Sequence, residues 1–217
     1  PARSGCCWLV DVYHGERLNS YTHLLGAVAA AAGLAVLVVL AAQQGDFWKL
    51  VSFSVYGATL FLLYLFSTLY HSTRGRAKPI LAKLDHVAIY LLIAGSYTPF
   101  TLVTLRGAWG WTLFGLIWGL AVLGIVVDSL HNRTARRILP MVIYIVMGWL
   151  VLIAFKPLLA ALPYAGLLWL VAGGLLYSLG IVFYALDKKL RHAHGIWHLF
   201  VLAGSISHYL AVLLYVA

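Results

Sequence analysis

Seven apolar stretches, each long enough to cross a bilayer, dominate this sequence. They lie at about residues 21–42, 47–70, 84–105, 109–127, 138–155, 164–186 and 195–216, and short polar segments separate them. A transmembrane helix needs about 17 to 25 predominantly apolar residues, and a soluble domain has too little interior to bury so many such stretches. We therefore predict an all-α integral membrane protein of the cell membrane, in which residues 1–217 form one domain, a bundle of seven transmembrane helices.

The basic residues predict how the bundle is oriented. Lys and Arg collect on the cytoplasmic side of membrane proteins, and here 12 lie on the side of the N-terminus and 3 on the opposite side. The twelve are Arg3, Arg17, Arg74, Arg76, Lys78, Lys83, Arg133, Arg136, Arg137, Lys188, Lys189 and Arg191, and the three are Lys49, Arg106 and Lys156. We expect a cytoplasmic N-terminus and an external C-terminus. The net charge of +9 is thereby explained by topology, so membrane lipids rather than nucleic acid are the expected partners.

The two cysteines, Cys6 and Cys7, are adjacent in the sequence. Neighbouring cysteines have poor geometry for a mutual bridge, so we expect no disulfide framework. Lipidation of one thiol stays open, although two cysteines near a membrane helix form only a weak motif. The first residues also lack the pattern of a removed signal peptide.

Histidines gather at the predicted cytoplasmic ends of the spans. His71 ends the second span, and His194 and His198 begin the seventh. The last two are four residues apart, so their imidazoles share one helical face, as a common metal ion requires. Three neutral imidazoles and a water form the open tetrahedral arrangement of catalytic zinc. We predict a zinc site here, and the alternative is a set of interfacial histidines bonded to backbone carbonyls and lipid headgroups.

Other polar residues are predicted at the same depth. Ser67 lies one helical turn before His71, and Asp85 begins the third span, where it could orient a ligand or accept the proton of a water. His208 lies ten residues beyond His198, or about 15 Å along a helix. That distance is too great for the same ion, so we expect His208 to form an interhelical hydrogen bond.

A second polar group precedes the first span. Glu16, Asn19 and His23 are spaced by three and four residues, so they share one helical face on the predicted cytoplasmic side. This face is either a capped and anchored helix start or a set of residues that supports the metal ligands from behind.

These motifs resemble the hemolysin III branch of the progestin and adipoQ receptor family over nearly the whole chain. The resemblance is carried, in the family's order, by Glu16-x-x-Asn19-x-x-x-His23, Ser67-x-x-x-His71, Lys83-Leu84-Asp85, residues 95–100 (Gly-Ser-Tyr-Thr-Pro-Phe) and His194-x-x-x-His198. The family's eukaryotic members include the adiponectin receptors. It is also related to alkaline ceramidases, membrane amide hydrolases with a similar set of His, Ser and Asp.

The resemblance implies a seven-helix fold and a zinc ion bound by His71, His194, His198 and a water. It further implies that Asp85 holds this water and that Ser67 lies beside the site. The loops of this chain are shorter than those of the receptor members, so we do not expect ligand binding at an external surface.

Together these features favour a zinc-dependent hydrolase that acts on lipid amide or ester bonds in membrane lipid homeostasis. Asp85 would be the general base, and Ser67 would orient the water or the oxyanion. One alternative is a non-enzymatic sensor or receptor-like regulator in which zinc joins the second and seventh spans, and another is a cytolytic protein. A retinal-binding opsin is disfavoured because the seventh span contains no lysine.

Overall fold

The computed structural model describes residues 15–130 and 138–217. Within these residues, seven helical segments are long and apolar enough to cross a membrane, and no strand occurs. The segments are Arg17–Gln44, Phe47–Ser72, Gly75–Thr104, Ala108–Leu130, Ile138–Ala161, Tyr164–Ala185 and Ala193–Tyr215. The predicted all-α bundle of seven spans is therefore confirmed. Outside the described residues lie Arg3, Cys6, Cys7, Arg133, Arg136 and Arg137.

Eight α-helices build these segments. They are α1 (Arg17–Gln44), α2 (Phe47–Ser72), α3 (Lys78–Pro99), α4 (Ala108–Leu130), α5 (Ile138–Gly148), α6 (Phe155–Ala161), α7 (Tyr164–Ala185) and α8 (Ala193–Tyr215). A 3₁₀ turn at Gly75–Ala77 precedes α3, and a π-helical turn at Phe100–Thr104 follows it. The first and third spans begin earlier than about 21 and 84, because polar and basic residues, Arg17 and Asn19 in the first and Arg76, Lys78 and Lys83 in the third, interrupt the apolar pattern at their starts.

The link between α1 and α2 shows how local sequence ends one helix and begins the next. Gly45 ends α1 in the left-handed conformation, with φ of 65°, which glycine adopts at little cost. Asp46 then caps α2, because its carboxylate accepts hydrogen bonds from the backbone N–H groups of Trp48 and Lys49 at 2.8 and 3.0 Å. Such a cap satisfies donors at the helix start that have no partner within the helix.

The fifth span is broken, whereas a continuous helix at 138–155 was expected. Between α5 and α6 the chain forms a 3₁₀ turn at Leu150–Ala154, and the span continues to Ala161. Pro157 lies in the first turn of α6, where its missing N–H removes no helical hydrogen bond. Lys156 accordingly lies in α6 and not in a polar link.

Tyr97 of α3 satisfies the backbone at this break. Its hydroxyl lies 2.9 and 2.8 Å from the carbonyl oxygens of Met147 and Gly148, and it accepts a hydrogen bond from the N–H of Val151 at 3.0 Å. Backbone groups within a bilayer have no water to pair with, so an interruption of a helix needs partners of this kind.

Helix α8 returns to the start of the chain and closes the bundle. It packs against both α7 and α1, and α2 packs against α1 and α3. Gly195 permits the close approach of α8 to α1, because a Cβ atom there would lie 2.5 Å from Leu18 Cδ2 and 3.1 Å from Asn19 Oδ1. The first turns of α8 therefore lie beside the first turn of α1 and the last turn of α2.

Candidate metal centre

Three imidazoles meet at the end of the bundle where α1 begins. His71 comes from the last turn of α2, and His194 and His198 come from the first two turns of α8. One ring nitrogen of each lies within 4.8 Å of those of the other two. His71 and His198 are buried, with 2% and 0% of their surface exposed. The structure thus brings together the three histidines that the sequence pattern singled out.

The first imidazole is held by a carboxylate. Nδ1 of His71 lies 2.6 Å from Oε2 of Glu16, and the same oxygen accepts a hydrogen bond from Nδ2 of Asn19 at 2.8 Å. The hydrogen bond with His71 lowers the pKa of Glu16 to about 2, so this carboxylate is ionised at neutral pH. An ionised carboxylate can only accept, so Nδ1 of His71 carries the proton and Nε2 carries a lone pair.

The other two imidazoles repeat this arrangement. Nδ1 of His198 lies 3.2 Å from the backbone carbonyl oxygen of Asn19, and Nδ1 of His194 lies 3.6 Å from Oδ2 of Asp187. A proton on each Nδ1 faces an oxygen, which leaves each Nε2 as a lone-pair donor. Histidines that bind metals commonly direct their second ring nitrogen at a carboxylate or a backbone carbonyl in this way.

The spacing of two of the Nε2 atoms matches that of ligands to a divalent metal ion. Nε2 of His71 lies 3.4 Å from Nε2 of His194, and in the tautomers above neither atom has a proton to share. In tetrahedral zinc sites the Zn–N distance of roughly 2.0 to 2.1 Å places two ligand nitrogens about 3.3 Å apart. Nε2 of His198 is buried and has no hydrogen-bond partner. A shared cation would satisfy all three nitrogens.

Asp85 and Ser67 lie beside this cluster. Asp85, near the start of α3, is 8% exposed, and Ser67, one turn before His71 on α2, is 2% exposed. The carboxylate of Asp85 lies within electrostatic reach of the Ser67 hydroxyl and of His71. The site therefore contains a buried carboxylate and hydroxyl that could handle a proton and contact a polar substrate atom.

The predicted polar face of α1 also reaches the cluster. Glu16 and Asn19 make the contacts given above, and the ring of His23 stacks on that of His198, with centroids 3.6 Å apart and an angle of 21° between the planes. The ring of Tyr64 also contacts that of His23, in an edge-to-face arrangement with centroids 5.0 Å apart. The structure thus places Glu16, Asn19 and His23 behind the candidate ligands, and their supporting role remains a prediction.

Sequence reasoning missed two acidic residues. Asp187, which faces His194, is the single acidic residue of the otherwise basic segment 186–192, and this contrast could have drawn attention to it. Asp128 of α4 is 7% exposed, and its Oδ2 lies 3.7 Å from Nδ1 of His86 on α3. No spacing in the sequence connects the last two residues, because 42 positions separate them.

A mostly apolar cavity begins at Ser67 and Asp85 and runs into the bundle between α3, α5, α7 and α8. Its volume is about 110 Å³, and a second cavity of about 100 Å³ reaches Leu105 and Leu158 towards the other end of the bundle. The two share the lining residues Ser96, Tyr97, Gly148, Trp149, Gly174 and His208. The two cavities are therefore adjacent, and we call them together the channel.

Comparison with known proteins identifies the family. A family model described as Haemolysin-III related matches residues 12–209. The chain is 47% identical over 202 residues to Hemolysin-3 of Bacillus cereus, which covers 93% of this chain and 91% of that protein. It is 46% identical over 201 residues to the Hemolysin-3 homolog of Bacillus subtilis (strain 168), with coverages of 92% and 93%.

A mammalian relative is more distant. The chain is 31% identical over 204 residues to the Monocyte to macrophage differentiation factor of Homo sapiens, which covers 89% of this chain and 81% of that protein. The extent of these matches confirms the recognition made from the motifs. The chain belongs to the haemolysin-III related family and is a multi-pass membrane protein.

Proposed function

We propose that this protein is a zinc-dependent hydrolase of lipid amide or ester bonds, with zinc held by His71, His194 and His198. One observation carries the proposal. Three imidazoles direct their Nδ1 atoms at oxygens and lie close enough together to share one ion, next to the buried side chains of Asp85 and Ser67, which line a mostly apolar cavity. Buried ionisable groups in membrane spans are costly and usually functional, and three at one point favour a metal over separate structural roles.

The location of the cluster favours a lipid substrate. It lies at one end of the bundle, where the ester and amide carbonyls of lipids meet the headgroup region. The channel extends from Asp85 towards the membrane centre and is lined mostly by apolar side chains, which suits an acyl chain. We place this end on the cytoplasmic side, because most basic residues flank it and basic residues concentrate there.

In the proposed hydrolysis, Asp85 and Ser67 have separate roles. Zinc held by His71, His194 and His198 would supply a Lewis acid and would lower the pKa of a nearby water to about 7. Asp85 accepts a proton from the attacking water as the oxygen of that water bonds to the carbonyl carbon. Ser67 donates a hydrogen bond to the oxyanion that then develops.

The second half of the reaction returns the proton. Asp85 gives it to the leaving amine nitrogen or alcohol oxygen as the C–N or C–O bond breaks, and the products are a fatty acid and an amine or alcohol. The channel keeps the acyl chain away from water throughout. The contacts of Glu16, Asn19 and Asp187 hold the imidazoles in the tautomers described above.

The test is the release of fatty acid from N-acyl and O-acyl lipids by purified protein in lipid nanodiscs. We expect turnover to depend on zinc and to fall at least about a hundredfold in Asp85→Asn, while zinc content stays unchanged. Asp128→Asn is the matched control, because it neutralises another buried carboxylate that does not line the channel. Wild-type turnover no higher than that of His71→Ala would contradict the proposal.

The same samples separate the two alternatives. A structural zinc ion predicts that chelation unfolds the bundle, while Asp85→Asn changes neither zinc content nor cellular lipid composition. Cytolysis, which the name of the Bacillus cereus relative suggests, predicts dye leakage from liposomes that survives loss of all three histidines. We expect no such leakage from the purified protein.

A further inference from the structure

His208 is a polar side chain in the middle of the channel that the proposed hydrolysis does not use. It lies on α8 between Ser207 and Tyr209 and lines both cavities of the channel. An imidazole at this depth of a membrane bundle is costly, so a role for it is the default expectation.

The contacts of His208 define its tautomer. Its Nε2 lies 3.2 Å from the backbone carbonyl oxygen of Leu170 on α7, and a carbonyl only accepts, so Nε2 carries the proton. Nδ1 therefore presents a lone pair, and it has no hydrogen-bond partner. The predicted interhelical hydrogen bond is present, but it uses only one of the two nitrogens.

The surroundings of His208 are shaped to hold the ring. A Cβ atom on Gly173 would lie 2.2 Å from Cδ2 of His208, so α7 leaves space for the ring only because this residue is glycine. Tyr177 contacts the ring edge-on at 5.3 Å. Helix α7 therefore confines the ring on the side of Cδ2 and Nε2. The nitrogen without a partner, Nδ1, is not the one that faces the carbonyl of Leu170.

Other polar side chains of the channel wall are already bonded within the protein. The hydroxyls of Ser96 and Ser178 donate to the carbonyl oxygens of Ile93 and Gly174, and the hydroxyl of Tyr177 is bonded to that of Ser205. Among the described residues that line the channel at this depth, Nδ1 of His208 is the buried acceptor that makes no hydrogen bond at all.

We propose that His208 recognises a hydroxyl group on the acyl chain of the lipid, and so selects chains hydroxylated near their middle. The hydroxyl donates its hydrogen to Nδ1 after a small rotation of the ring. The inference rests on the proposed function for the presence of an acyl chain, and it adds the substrate class to it.

The position of the hydroxyl follows from helix geometry. His208 lies ten residues beyond His198, or about 15 Å along α8. An extended hydrocarbon chain advances by about 1.25 Å per C–C bond, given bonds of about 1.5 Å and tetrahedral angles. When the lipid carbonyl lies at the metal centre, the acyl carbon about twelve positions away from it therefore lies beside His208.

The test compares the binding of three free fatty acids to purified protein in detergent by isothermal titration calorimetry. The probes are octadecanoic acid, 12-hydroxyoctadecanoic acid and 3-hydroxyoctadecanoic acid. We expect wild type to bind the 12-hydroxy acid about fivefold more tightly than the other two, as one hydrogen bond to a buried acceptor would give. His208→Leu should bind all three with equal affinity, whereas His192→Ala, which changes an exposed histidine, should keep the preference.

The comparison within wild type needs no variant, so misfolding of His208→Leu cannot obscure the result. Equal binding of the three acids by wild type, or no binding of any, would overturn the inference, as would a preference that survives in His208→Leu. Because binding needs no turnover, a preference without hydrolysis supports this inference and counts against the proposed function. Hydrolysis without a preference for the 12-hydroxy acid supports the proposed function and counts against this inference.

Discussion

Nδ1 of His71 and Oε2 of Glu16 lie 2.6 Å apart, and this contact ties the end of α2 to the residue before α1. It also selects the ring nitrogen of His71 that faces the other two histidines. The oxygen atoms that accept from the Nδ1 atoms therefore decide which ring nitrogens are left to bind a metal ion.

We predict that Glu16→Gln weakens zinc binding about 10- to 100-fold, the usual effect of losing an outer partner of a histidine ligand. The amide cannot supply the negative charge that fixes the Nδ1 proton. Competition with a chromophoric chelator measures the change. Asp187→Asn should have a smaller effect, because its oxygen is 3.6 Å from His194, and unchanged affinity in Glu16→Gln would show that the carboxylate does not support the ligand.

We predict that Gly195→Ala lowers both zinc content and stability. The new methyl group would lie 2.5 Å from Leu18 Cδ2 and 3.1 Å from Asn19 Oδ1, so the Leu18 side chain must shift and the contact between α8 and α1 loosens, at a cost of about 1 kcal/mol. Thermal unfolding and elemental analysis report the two effects. Gly115→Ala is the control, since nothing lies within 4 Å of its added carbon, and equal behaviour of the two variants would refute the close-packing argument.

We predict that Tyr97→Phe destabilises the bundle by about 1 to 3 kcal/mol, because the backbone groups at the break in the fifth span lose their partner. Unfolding by titration with sodium dodecyl sulfate measures this cost. Tyr56→Phe removes a buried hydroxyl that has no hydrogen-bond partner, so it should cost less. A larger effect at Tyr56 than at Tyr97 would contradict this assignment.

The histidine cluster could be predicted because short-range spacing and span order determine it. The four-residue interval between His194 and His198 places both on one face of α8, and alternation of span direction brings His71 to the same depth. Asp187 could not be predicted in this way, because its approach to His194 depends on the path of a short irregular segment rather than on helical period.

The break in the fifth span was missed for a related reason. Residues 138–155 are apolar almost without interruption, so the sequence pattern shows no break. The break is stabilised by Tyr97 on another helix, which pairs with the backbone groups there. Pro157 was the local signal, since proline is tolerated in a first helical turn and so marks the start of α6. The hydroxyl of Tyr97 and the break it serves are 50 or more residues apart in sequence, beyond the range of any local pattern.

The most direct test of the central claim is elemental analysis of purified protein, comparing wild type with His71→Ala, His194→Ala, His198→Ala and the control His192→Ala. We predict about one zinc ion per chain in wild type and in His192→Ala. Each of the other three variants should lose at least tenfold in zinc content, with the bundle still folded by circular dichroism. Zinc retained in those three variants, or absent from wild type, would contradict the assignment of these imidazoles as its ligands.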